Sequence, residues 1–140
     1  MLTRLSYLFL VWNVRGLNDR ARRDLVREFV AVSRAVFVVL SESKLESVTP
    51  YDVMIILGPR FDGFAYLPAV GTCGGILVGW QSDRVSLFNA SLTTNTITLE
   101  ISPSEGDKWW FTAVYGPSFN EDQAPFLDEI CGVAAGCPGR

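Results

Sequence analysis

Two continuous apolar runs, Leu8-Phe9-Leu10-Val11-Trp12 and Val36-Phe37-Val38-Val39-Leu40, bracket a stretch of helical spacing. Neither run alternates with polar residues, the pattern of strands covered on both faces. Between them Leu25, Phe29 and Val32 fall at i, i+4 and i+7, with Val26 and Val30 beside them, while Arg22, Arg23, Arg27 and Glu28 take the other side. Asn18 or Asp19 can cap the free amides of the first turn. Strand, helix, strand in so short a span is a βαβ unit, and its strands are parallel neighbours. A helix of about 13 residues is roughly 20 Å long, and a five-residue strand roughly 17 Å, so the crossover fits the return path. Asn13 and Ser41-Glu42 directly follow the two runs. They therefore share the carboxyl edge of one sheet, where open α/β sheets place their ligands.

The remainder continues the mixed pattern. Residues 48–57 read as a short helix, with Ser47 or Thr49 as cap, Pro50 at its first position and Gly58-Pro59 as its end. Residues 61–68 read as a strand or loop leading to Gly71-Thr72-Cys73-Gly74-Gly75, and Ile76-Leu77-Val78-Gly79-Trp80 as another buried strand. Residues 85–92, 96–101 and 109–114 are strands separated by turn-rich connectors, an antiparallel meander. Residues 96–101 alternate cleanly, which predicts one wet face. Phe126, Ile130 and Val133 then mark a final helix, opened near Asp122 and Pro125 and closed by Gly136-Cys137-Pro138-Gly139.

At 140 residues, 49% hydrophobic and 19% charged, the chain is long and apolar enough for one sizeable core and too apolar for disorder. A net charge of −3 denies it the overall basic footprint of a domain that holds nucleic acid unaided. Arg15, Arg20, Arg22, Arg23 and Arg27 are a local exception, open to reading as a solvated helix face or as a phosphate contact surface. Three cysteines without a C-x-x-C pair, and no histidine, argue against both a zinc site and a disulfide framework. They imply reduced thiols in an intracellular compartment. The apolar run at residues 8–12 is too short to span a membrane.

Three strand tips carry the candidate chemistry. Glu42 stands among small hydroxyls with Lys44 two residues on. It is either a carboxylate for Mg²⁺, which needs only one or two protein carboxylates, or a solvated turn residue paired with Lys44. Asn13 either orients a phosphate or a metal-bound water, or bonds its own backbone in a turn. Tyr115, at the tip after residues 111–114, either donates its phenol to a phosphate oxygen or is a half-buried rim aromatic. Residues 71–75 lack the Lys-Ser/Thr of a phosphate-binding loop, so a turn is the better reading. Trp109 and Trp110 face opposite ways, which predicts at least one in the core.

These tips, with Trp12-Asn13-Val14-Arg15-Gly16-Leu17-Asn18, residues 36–44, Gly74-Gly75-Ile76-Leu77-Val78 with Trp80, and Ala113-Val114-Tyr115-Gly116-Pro117 followed by Phe126-Leu127, resemble the endonuclease/exonuclease/phosphatase family. The sequence is most similar to the apurinic-type endonuclease domain of plant LINE-type (non-LTR) retrotransposons. The resemblance implies a four-layer α/β/β/α sandwich with mixed sheets and Mg²⁺-dependent phosphodiester hydrolysis on DNA, hence a nuclear site of action. It would make Glu42 a metal ligand, place Asn13 at the phosphate and metal end, and set Tyr115 against the scissile phosphate.

Ser41-Glu42-Ser43-Lys44 replaces the family's usual Gln-Glu-Thr-Lys. The family's Asp-x-Asn and Ser/Thr-Asp-His segments have no counterpart before Arg140. The expectation is therefore a truncated domain over residues 1–140, the N-terminal part of a partial sandwich, catalytically inactive as it stands. A non-catalytic nucleic-acid-binding or protein-interaction module on the same scaffold is the alternative, and a small enzyme using Glu42 in an altered way is a third reading. In such a half-domain, Ile76–Trp80 and residues 111–114 should lack some of their neighbours or cover, and the isolated chain should be poorly stable.

Overall fold

The first βαβ unit forms as its apolar runs require. In the computed structural model, which describes residues 8–71, 73–103, 106–116 and 123–137, β1 (Phe9–Asn13) pairs in parallel with β2 (Phe37–Ser41). The register sets Asn13 opposite Ser41. The crossover is α1 (Arg20–Ser33), whose amides are capped by Asp19 through Ala21 N–H. Asn18, the other candidate cap, instead donates its side-chain amide to the Lys44 carbonyl at 2.9 Å. A second helix, α2 (Pro50–Leu57), starts with Pro50 behind a reciprocal cap between Thr49 and Asp52.

The chain then returns through β3 (Gly63–Leu67) and β4 (Ile76–Trp80), giving a four-stranded mixed sheet of order β1-β2-β4-β3. Because β3 turns back to pair on the far side of β4, every residue of β4 is buried between two neighbours. This corrects the expectation that residues 76–80 lack cover. A second sheet, β5 (Val85–Leu92), β6 (Thr96–Pro103) and β7 (Trp109–Val114), is the expected antiparallel meander. The last helix, α3 (Gln123–Gly136), follows; Asp122 and Pro138-Gly139, named above as its limits, lie outside the described residues.

The layers run α1 and α2, first sheet, second sheet, α3: the α/β/β/α order. Val26, Val30, Val53 and Ile56 of the helices pack on Val38, Leu40 and Leu77. Between the sheets, Phe37, Val39, Ile76 and Val78 meet Val85, Ile97, Leu99 and Ile101. Phe37 carries edge-on rings on both sides, Phe9 at 4.8 Å and Phe111 at 5.0 Å. The outer face of β6 is not wet as its alternation suggests. Thr96 and Thr98 are buried, because α3 lies over that face with Glu129 and Val133 beside Thr98 and Trp110. Trp109 stacks on Phe9 at 5.4 Å and Trp110 turns to α3, so they do face apart, but neither is a core residue.

The helical face is also displaced from the expected one. Val26 and Val30 point inward, whereas Leu25, Phe29 and Val32 are 55%, 49% and 77% exposed. That apolar stripe lies toward β1, where Phe29 tilts over Trp12 at 5.1 Å. β1 and β7 end their sheets on the same flank, as the Phe9–Trp109 stack shows, and Val11 is 64% exposed there. Neither strand carries a charged residue or a proline, the usual protection of a free edge.

Docking of α3 depends on one carboxylate. Glu129 accepts from the Thr93 hydroxyl and, at 2.8 Å each, from the Asn95 backbone and side-chain amides. Partial burial pushes its carboxyl up, but these three hydrogen bonds outweigh it and hold the group below its ordinary range. A depressed folded-state value contributes stability that is complete above the unfolded value and lost as pH falls through the folded one. Attachment of α3 to the β5–β6 turn should therefore weaken below about pH 4.5. Amide exchange in α3 should rise in that range in the parent chain and be elevated at all pH values in Glu129→Gln. Pin-free docking, with exchange in the variant equal to the parent's at pH 7, would argue against this role.

Candidate functional site at the strand ends

Past their strands, β1 and β2 continue side by side through backbone hydrogen bonds. Val14 N–H donates to the Ser41 carbonyl at 3.1 Å, Gly16 to that of Glu42 at 2.7 Å, and Leu17 to that of Ser43 at 2.8 Å. On the other side Ser43 and Lys44 N–H donate to the carbonyls of Gly75 and Gly74 at 3.0 and 2.9 Å. The segment holding Glu42 is thus laced on both sides, by residues about 27 and 32 positions away in the chain.

Such tight lacing forces unusual backbone. Arg15, Glu42 and Lys44 have φ of 54°, 53° and 59°, left-handed values that cost a non-glycine residue about 1 kcal/mol or more each. Strain of this kind gathers where surrounding structure over-determines a functional side chain. Gly75 is obligatory in this setting. Its φ is 90°, and a Cβ there would come within 2.4 Å of Ser43 Oγ and 3.2 Å of Lys44 N. At Gly74 a Cβ would only touch the Tyr115 ring, at 3.4 Å, but the φ of 75° itself favours glycine. The glycine-rich segment is a turn, closed by mutual Val70–Cys73 backbone bonds, and its function is to let β4 approach the Glu42 segment.

Tyr115 arrives from the second sheet. It follows β7, its N–H donates to the Asn95 carbonyl at 2.9 Å, and its phenol donates to Glu42 Oε1 at 3.2 Å. Two side chains separated by 73 positions thus meet at one rim. Glu42 does not form an ion pair with Lys44 among the described residues; its partner is Tyr115. Asn13 sits at the same sheet edge, across from Ser41, and its Oδ1 accepts from Arg15 N–H at 3.2 Å. That is the turn-amide arrangement, and it leaves Oδ1 one further lone pair. Pro117 of the third tip lies outside the described residues.

The arginines divide. Arg22 donates to the Val14 carbonyl at 2.6 Å, Arg23 to that of Leu17 at 2.5 Å, and Arg27 to that of Ile55 at 3.2 Å. Those three tie α1 to the strand-end loop and to α2, while Arg22 stays exposed and Arg23 and Arg27 are half-buried. Arg15 and Arg20 remain exposed. Sequence reasoning missed this tying role because main-chain acceptors leave no mark in a residue pattern.

No group of three or more histidine, cysteine or acidic side chains converges among the described residues. The strand ends offer one carboxylate, Glu42, and one amide oxygen, Asn13. Such a set suits Mg²⁺ in its water-rich form, which asks for one or two carboxylates and keeps several waters, and is too sparse for a tight protein cage. Among the described residues no helix is long and apolar enough to cross a membrane, and the three cysteines are free.

Neither a family model nor a curated protein matches this sequence. Solved structures do. A humanized TDP2 of D. rerio carrying 14 mutations superposes with a TM-score of 0.59 at 15% identity, over 89% of this chain and 56% of that one. D. rerio TDP2 complexed with a single-strand DNA product gives 0.60 at 14% identity, over 92% and 55%. The AP endonuclease LMAP from Leishmania major gives 0.58 at 18% identity, over 86% and 44%. The fold is therefore that of the endonuclease/exonuclease/phosphatase proteins, and the mixed sheet and layer order above agree with it. The chain spans about half the length of these structures.

Proposed function

We propose that this chain is the N-terminal half of a Mg²⁺-dependent, DNA-directed phosphodiesterase domain, derived from a LINE-type retrotransposon endonuclease of plant type and without cleavage activity as it stands. The observation that carries this reading is the hydrogen bond from the Tyr115 phenol to Glu42, at the carboxyl end of β2, in a fold shared with two kinds of DNA-processing protein. Glu42 is the residue to hold Mg²⁺, with Asn13 as a second oxygen donor; the bound ion would supply charge to polarise a phosphate. Tyr115 donates its one O–H to the Glu42 carboxylate in the resting chain, and would turn it to a phosphate oxygen once Glu42 is taken up by the ion. The TDP2 structure with a single-strand DNA product supports DNA as the class of polymer bound.

Manganese tests the site without requiring activity. Substoichiometric Mn²⁺ should broaden the amide resonances of Asn13, Ser41, Glu42 and Tyr115 before any others, and excess Mg²⁺ should restore them. Glu42→Ala should abolish the selectivity. Uniform broadening over the acidic surface, or selectivity that survives in Glu42→Ala, would sink the assignment.

A further inference from the structure

The two free strand edges lie on one flank and run the same way. Phe9, where β1 begins, stacks on Trp109, where β7 begins, at 5.4 Å. Past the far ends, the Tyr115 phenol reaches Glu42, which follows Ser41 opposite Asn13. β1 therefore ascends from Phe9 to Asn13 alongside the ascent of β7 from Trp109 to Val114. Val11 and Thr112 lie level with each other near the middle of their strands.

The ladders fix which main-chain groups face outward, because alternate residues of a strand turn theirs to opposite sides. Val14 N–H bonds Ser41, so Trp12 and Leu10 also turn to β2, and Phe9, Val11 and Asn13 present theirs to the open edge. Tyr115 N–H bonds Asn95, so Ala113 and Phe111 also turn to β6, and Trp110, Thr112 and Val114 present theirs outward. Among the described residues no strand pairs beyond either edge. Each edge thus offers three residues centred on one, Val11 or Thr112.

An edge of this kind is complementary to itself. A two-fold axis perpendicular to the first sheet at Val11 sets Val11 against the same residue of a second copy, and Phe9 against that copy's Asn13. These are antiparallel pairs that exchange both main-chain bonds. Because Thr112 is level with Val11, the same axis sets Thr112 against its own copy and Trp110 against Val114. One operation satisfies both edges. It also turns the Leu25, Phe29 and Val32 stripe of α1 toward its counterpart. Neither strand carries a charge to oppose the approach. Val11, Leu25, Phe29, Val32 and Trp109 are between 38% and 77% exposed. Together they show water on the order of 500 Å² of apolar side chain, the larger part of the roughly 800 Å² that each partner of a stable pair buries.

We infer that this flank binds a second copy of the chain, as a two-fold dimer in which each sheet continues antiparallel into its counterpart. The two Glu42 rims then point in opposite directions. The pairing needs no metal and does not rest on the strand-end reading.

Sedimentation of the 140-residue chain in EDTA, from low to high micromolar concentration, tests it. The mass should rise reversibly to twice the 15.5 kDa of one chain and no further. Val11→Lys and Val11→Glu should each weaken pairing by more than about tenfold, because like charges then meet on the axis. An equimolar mixture of the two should recover the dimer, since only a contact of Val11 with itself brings the opposite charges together. Val32→Glu should also weaken pairing by about tenfold or more, by placing a charge in the apolar stripe. Val32 is 77% exposed, so this variant keeps the single chain folded and its circular dichroism should match the parent's at low concentration. A monomer throughout the range, as expected if a different protein occupies the flank, overturns the inference. So does growth past two copies, a dimer that Val11→Lys and Val32→Glu both leave intact, or a mixture of the two Val11 variants that fails to pair.

Discussion

Supercoiled or abasic-site DNA incubated with the 140-residue chain and Mg²⁺ or Mn²⁺ should remain uncut, and Glu42→Ala should look the same. Metal-assisted hydrolysis needs an electrophilic ion, a water made nucleophilic, and stabilisation of charge on the phosphate and leaving oxygen. On the function proposed above, Glu42 and Asn13 would answer to the first and Tyr115 to the third. Among the described residues the second has no bearer on this reading. The sequence contains no histidine. The two acidic residues nearest Glu42 in the chain do not substitute: Glu46 is exposed in the following loop, and Asp52 is committed to the Thr49 cap with Arg23 at 3.8 Å. A positioned base alone contributes about 10²–10⁴-fold. Residues that act on one site are not additive, so restoring several such groups together would gain less than the product of their separate effects. A longer chain in which Asp-x-Asn and Ser/Thr-Asp-His follow residue 140 should nick. Metal-dependent nicking by the 140-residue chain that vanishes in Glu42→Ala would overturn the expectation of inactivity.

The largest effect on stability is expected at Phe37. Its side chain is fully buried at the centre of the inter-sheet layer, with Phe9 and Phe111 edge-on around it. Phe37→Ala removes the transfer energy of the ring and leaves a hole bounded by two sheets, which cannot close over it; such changes cost about 3–5 kcal/mol. Typical domains have only about 5–15 kcal/mol in total, and this one leaves two strand edges and the stripe of Leu25, Phe29 and Val32 in water. Urea titration of Phe37→Ala should show little or no folded baseline. Phe37→Leu, which keeps most of the volume, should lose less than about 1.5 kcal/mol. A midpoint in the alanine variant within experimental error of the parent's would mean the rings do not hold the sheets together.

Where sequence was a good guide, the signal was a continuous apolar run or an end marker. Residues 8–12 and 36–40 define β1 and β2 and their shared edge, and Pro50 behind Thr49 marks α2. The meeting of Tyr115 with Glu42 follows the same logic of strand tips. It was less legible which side of α1 faces inward. Both the Leu25/Phe29/Val32 row and the Val26/Val30 row satisfy helical spacing. The choice is made by α2, which packs beside α1 and turns Val26 and Val30 inward. Likewise the threonines of β6 read as solvent-facing because α3, which covers them, is specified 25 residues later.

The flank where β1 and β7 end has the character of a seam. Every ladder found among the described residues closes on one side of it: β1 bonds only inward to β2, and β7 only inward to β6. The boundary runs parallel to the strands through both layers, and no described strand crosses it. A sandwich parted along such a plane would give up two rows of lateral hydrogen bonds and a helix-side apolar strip, and would leave the two core layers whole. Seen this way, the architecture is divisible. It could be assembled from two tiles joined edge to edge, with the junction carried by main-chain groups that are nearly indifferent to side-chain identity.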